Sequence, residues 1–136
     1  MLTPGPDHPI ALEPCRSRVR AAFEHHVIAD TDDALILREA GLAPVYYFPI
    51  DDVEMSFLAR TDHAATCPYK GHASYWSIYM DGHLAETAAW VYEAPYPAFA
   101  ALSGRIAFDP KAVEVYEIDE AMTHRDLGGD AARSTP

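Results

Sequence analysis

Apolar and polar residues along most of this chain alternate with a period of two, the pattern of half-buried strands. In "RVRAAF" (18–23), Val19, Ala21 and Phe23 alternate with Arg18, Arg20 and Ala22. "HVIAD" and "ALILRE" flank "DTDD", and this predicts a hairpin closed by an acidic turn. Asp30, Asp32 and Asp33 lack the glycine and distal glutamate of a calcium loop, so turn chemistry is the simpler reading. "VYYFP" (45–49) is rich in strand formers and is closed by Pro49. "DDVEMSFL" (51–58) fits either a short helix capped by Asp51 or Asp52, or a strand. "SYWSIYM" (74–80) has bulky groups on both faces and predicts a central strand covered on both sides. Asp81-Gly82 supplies the next hairpin turn, and "TAAWVYE" (87–93) returns.

One stretch breaks the rhythm. "YPAFAALSG" (96–104) predicts a short helix, with Pro97 at N1, Phe99 and Leu102 on one face, and Gly104 ending it. "RIAF" and "AVEVYEI" (112–118) are the last strands. About eight short strands, one or two short helices and no βαβ alternation predict a mainly β fold of two packed antiparallel sheets. Residues 1–15 read as an extended, proline-rich segment, 16–122 as a single β-rich domain, and 123–136 as a flexible tail with few large apolar groups.

Charge narrows the partners. With 21 acidic and 10 basic residues and a formal charge of -11, the chain is poorly suited to nucleic acid. No apolar run approaches the roughly 20 residues of a membrane helix, so a soluble protein without membrane contact is expected. The start, "MLTPGPDHPI", lacks the features of a secretory signal. The two cysteines, Cys15 and Cys67, read as reduced thiols of a cytoplasmic protein. Exposed strand edges make a homodimer reasonable, although no residue specifies one.

The chemistry concentrates in "TCPYKGHASYW" (66–76). Lys70 lies three residues beyond Cys67, across a turn set by Pro68 and Gly71, where an ammonium can lower a thiol pKa. His63 or Asp62, in "RTDHAATC", could accept the proton, so the parts of a Cys–His nucleophile are present. The competing reading is structural, because free cysteine is among the most buried residue types and packs as a small hydrophobe. His63, Cys67 and His72 form an H-x3-C-x4-H spacing. A closed zinc site wants four ligands in close pairs, so no structural metal and no cofactor are expected, while three ligands could hold a catalytic metal with His25, His26 or Asp62 completing it. His25 and His26, as strand neighbours, would point to opposite faces. The aromatic set of Tyr46, Tyr47, Tyr75, Trp76, Trp90 and Tyr92 fits a core, and its hydroxyls beside a lysine could also line a ligand pocket.

"VYYFP" (45–49), "DH" (62–63), "CPYKGHASYW" (67–76) and "AAWVY" (88–92) occur in this order over residues 17–120. In these segments the chain resembles domain-of-unknown-function family 427. The resemblance implies a small β-tent-like domain and draws attention to Tyr47, Asp62, His63, Cys67, Tyr69, Lys70, Tyr75, Trp76 and Trp90. The family also carries a nucleotidyltransferase-like label, for which this chain has no phosphate-cradling loop. Two positions depart from the family pattern: Thr66 stands where an aromatic is common, and Thr87 where Asn is common.

Two functions follow. In one, a small polar molecule sits in an aromatic pocket of Tyr47, Tyr69, Tyr75, Trp76 and Trp90. There Cys67 reacts as a thiol, activated by Lys70 and relayed through His63 and Asp62. In the other, the domain is a non-catalytic ligand-binding or interaction module in which Cys67 is structural and Lys70 holds an anionic group.

Overall fold

The computed structural model describes residues 1–118, and the expected tail, 123–136, lies outside the described residues. Ten strands run in chain order: β1 (Ile10–Pro14), β2 (Arg18–Phe23), β3 (His26–Thr31), β4 (Leu35–Glu39), β5 (Val45–Pro49), β6 (Leu58–Cys67), β7 (Gly71–Met80), β8 (His83–Pro95), β9 (Arg105–Phe108) and β10 (Glu114–Ile118). They form a seven-stranded sheet, β1-β4-β5-β9-β8-β7-β6, and a three-stranded sheet, β10-β2-β3. Every pairing is antiparallel. The molecule is therefore mainly β with two antiparallel sheets, as its alternation predicts.

Parity along the strands decides where each side chain goes. Val19, Ala21 and Phe23 of β2 turn inward and meet Ile36, Phe48, Ile78, Val91, Ile106 and Phe108 of the large sheet. Phe48 and Phe108 meet edge to face, with centroids 5.6 Å apart. The intervening residues Leu37, Tyr47, Tyr92 and Ala107 point the other way and build a second apolar cluster with Phe99 and Leu102. A sheet apolar on both faces explains why "VYYF" and "AAWVY" read as continuous runs rather than clean alternation.

Several elements differ from the sequence-based expectation. β3 and β4 are not a hairpin, since they lie in different sheets. Ile28 and Ile36 face one core from opposite sides, so the chain must cross between layers. Thr31 fixes that corner, accepting the Asp33 amide at 2.9 Å and donating to Asp52 Oδ2 at 2.7 Å. The hairpin partner of β3 is β2, joined through Glu24 and His25, both at positive φ (48° and 69°). His25 is thus a turn residue and not a strand neighbour of His26.

"DDVEMSFL" forms neither of its two expected elements. It spans the end of one short 3-10 turn (Ile50–Asp52), a second (Met55–Phe57) and the start of β6. The expected helix is also 3-10, Pro97–Leu102, kinked at Phe99 (φ -121°) and followed by Gly104 at φ +77°. Six residues are too few to repay α-helix nucleation, and the segment holds because Phe99 and Leu102 are buried. β7 is sixth of seven strands and not central, with Tyr79 60% exposed. Strands β6, β7 and β8 reach 10, 10 and 13 residues, so not all are short. The proline-rich lead-in contributes β1, an edge strand.

The large sheet is rolled. β4 and β7 are four positions apart in it, which in a flat sheet would separate them by about 19 Å. Yet Lys70, in the β6–β7 turn, hydrogen-bonds Glu39 at the end of β4 at 2.6 Å. The Leu2 amide also donates to the Pro68 carbonyl at 2.7 Å. These contacts bring the two flanks of the sheet together at one end and leave a cavity inside the curve.

Candidate functional site

The cavity, about 220 Å³, is walled by four rings: Tyr47 of β5, Tyr75 of β7, and Trp90 and Tyr92 of β8. Trp90 and Tyr92 share a face because they are two apart on one strand, and Tyr75 is the cross-strand partner of Trp90. The Trp90 indole donates to the Tyr47 hydroxyl at 3.1 Å, which fixes both rings. Leu37, Leu42, Ala43 and Val45 supply the hydrocarbon side, and Lys70 with Glu39 the charge.

Lys70 is 8% exposed, so its ammonium requires a partner. Glu39 provides Oε1 to Lys70 and Oε2 to His8 Nε2 at 2.7 Å. Burial opposes ionisation of Glu39, but the hydrogen bonds from Lys70 and then His8 outweigh it, and the carboxyl titrates below its usual range. The Lys70 ammonium also lies 5.8 Å from the centre of the Tyr92 ring, within cation–π range. Burial, with smaller contributions from nearby Glu39, Cys67 and Tyr75, pushes the Tyr47 hydroxyl well above the ordinary phenol range, against the opposing Trp90 bond. Burial does the same to Tyr92. Both phenols are therefore protonated donors at neutral pH.

Local backbone sets Lys70 in place. Gly71 sits at φ +124°, and a Cβ there would lie 3.2 Å from Pro95 Cα and from the Tyr96 nitrogen. That close approach lets the Tyr96 amide donate to the Lys70 carbonyl at 2.8 Å.

The remaining sequence-predicted residues divide. Cys67 pairs with Gly71, is half-buried and packs on the second cluster, but it does not line the cavity. The Lys70 ammonium bonds Glu39 rather than the thiol. Asp62 and His63 are exposed at the irregular register between Arg60 and Ala64, with the His63 ring 4.7 Å from that of Tyr75. His63 and Cys67 are four residues apart on one strand, about 13 Å along it, so the expected relay is not assembled in direct contact. Tyr69 stacks on His8, centroids 4.4 Å apart, outside the cavity lining. Trp76 belongs to the opposite face, packing on the inter-sheet core and donating to Ser74 Oγ at 3.3 Å. His72 is exposed and bonds the Thr66 hydroxyl at 2.8 Å. Among the described residues, no three His, Cys, Asp or Glu side chains gather as a metal site. Neither Thr66 nor Thr87 lines the cavity.

Sequence reasoning missed Glu39 and His8 and named Tyr92 only among the aromatics. Glu39 had one legible signal, an acid ending the apolar run "ALIL"; His8 had none.

Rings from three strands and a buried ion pair, set in a rolled antiparallel sheet, define a small β-rich domain with a preformed aromatic cavity. The family model described as "Domain of unknown function (DUF427)" matches residues 11–119, from the second residue of β1 to just past β10. The chain belongs to that family. No curated protein matches it.

Proposed function

We propose that this domain binds a small polar molecule in the cavity walled by Tyr47, Tyr75, Trp90 and Tyr92, and that it does so without covalent chemistry. One observation carries the reading: the rings, Lys70 and Glu39 border the same cavity, while Cys67 lies outside its lining. At about 220 Å³, the space corresponds to about seven waters, which favours a compact ligand. Reduced thiols in the cytoplasm suit the two free cysteines, which sit in separate apolar clusters. The test is a thermal-shift and fluorescence screen with compact polar molecules, repeated on Tyr92→Phe and on Cys67→Ser. Ligand shifts reduced in Tyr92→Phe and kept in Cys67→Ser support the reading, and shifts lost only in Cys67→Ser overturn it.

Thiol chemistry at Cys67 is the second reading. It is favoured by the sulfur's position on the cavity side of β6, near enough for its charge to bear on Tyr47 and Tyr92. Alkylation rate against pH decides it. An apparent thiol pKa at or above the free-cysteine value, about 8.5, removes this reading.

A further inference from the structure

We propose that the cavity selects a small monocarboxylate, its oxygens held by the Lys70 ammonium and the Tyr92 hydroxyl and its hydrocarbon laid against Leu37, Leu42 and Val45. The inference rests on the non-covalent binding reading above and names its ligand class. It follows from a census of donors and acceptors. Glu39 is the one carboxylate in the lining, and both its oxygens are engaged, Oε1 by Lys70 and Oε2 by His8. About half of its acceptor capacity is thus already used within the protein. Lys70 has three protons and gives one to Glu39.

The hydroxyls add to the same side of the balance. Among the described residues the Tyr92 hydroxyl has no hydrogen-bond partner. It is also not sealed away from solvent-accessible space, since it lies in the cavity wall. The Tyr47 oxygen accepts from Trp90, which leaves its own proton to donate. Burial keeps both phenols protonated and so keeps them donors.

A cavity with several free donors and few free acceptors calls for a ligand whose acceptors outnumber its donors. A carboxylate presents two oxygens with about four lone-pair sites, and charge-assisted bonds to it are roughly twice as strong as neutral ones. With the one ammonium of the lining already paired to Glu39, a single negative charge is easier to accommodate than a doubly charged phosphate. The chain's formal charge of -11 opposes an anion at long range, but beyond about 8 Å that repulsion is screened at physiological salt. The four apolar residues of the wall then select for a hydrocarbon tail over a bare inorganic ion.

The experiment titrates the full chain with benzoate, neutral benzamide and cationic benzylamine, following Trp90 fluorescence and calorimetry. Trp76, on the other face, serves as a constant background. Benzoate should bind roughly ten-fold tighter than benzamide, in line with a charge-assisted bond, and benzylamine should not saturate. Tyr92→Phe, which keeps the ring and strands no partner, should weaken benzoate by roughly five-fold while leaving the melting temperature near wild type. Glu39→Gln should strengthen benzoate binding, because it removes the charge competing for Lys70. Benzamide or benzylamine binding as tightly as benzoate, with loss in Tyr92→Phe, overturns the carboxylate class and leaves the binding reading standing. No saturable response to any of the three probes overturns both.

Discussion

Lys70 Nζ lies 2.6 Å from Glu39 Oε1, an ion pair that joins the β6–β7 turn to the end of β4 across the width of a seven-stranded sheet. The side chains are 10% and 12% exposed. Removing one partner strands the other charge in a poorly solvated place. Lys70→Met or Glu39→Ala should cost about 3 kcal/mol in urea unfolding. The double replacement Lys70→Met with Glu39→Leu should recover much of that loss, since a buried pair can be exchanged for hydrocarbon at little net cost. Equal losses in single and double variants would refute the coupling.

The same carboxyl sets an acid limit. Its folded pKa is depressed, so between that value and the unfolded one, about 4.3, the unfolded chain binds more protons. Stability from this group is full above the unfolded value and falls as pH drops through the folded one. Denaturation midpoints of wild type and Glu39→Gln should therefore converge on acidification from pH 7 toward pH 3.

At high pH the sign reverses. Burial, then a hydrogen bond to Glu117, pushes the Tyr46 hydroxyl up to about 12. Above the ordinary phenol value, about 10, the unfolded state loses this proton first. Stability should decline from pH 10 toward 12, and Tyr46→Phe should flatten part of that decline in a 295 nm titration coupled to urea melts.

Thr87 occupies φ +50°, a left-handed conformation that costs a side-chain-bearing residue about 1–2 kcal/mol and suits a β-branched one least. Asn tolerates this region better, which gives a backbone reason for the Asn common here in the family. Thr87→Asn should stabilise the domain by about 1 kcal/mol in thermal unfolding and leave the cavity untouched.

Gly71→Ala should act in the opposite direction. The new Cβ meets backbone atoms at 3.2 Å, whereas at Gly82, also at positive φ, nothing lies within 4 Å. Gly82→Ala should cost about 1 kcal/mol from conformation alone. Gly71→Ala should cost clearly more and shift the melting temperature further.

How much of this was legible depends on the range of the interactions. Period-two patterning located β2, runs of strand formers located β5, β7 and β8, and Asp81-Gly82 marked its own turn, because these signals are local. The Glu24-His25 turn was missed because neither residue advertises a positive φ as Asn-Gly would. The pairing of β3 was misread for a related reason: an acidic turn and a corner between sheets have the same composition. At the site, Lys70 and Tyr75 were legible from one short stretch, and Tyr47 and Trp90 from aromatic strand runs and the family resemblance. Glu39 and His8 lie 31 residues apart and meet because β1 pairs with β4, Ile10 opposite Glu39, and Glu39 meets Lys70 only when the sheet rolls. No short window contains that event.

Because neighbours on β5 serve opposite sides of the large sheet, Phe48 belongs to what holds the two layers together and Tyr47 to the wall of the hollow. On β8 the same split falls between Val91 and Trp90. Evolution or a protein engineer can thus reshape the hollow by changing every other residue, while the alternate set keeps the layers joined.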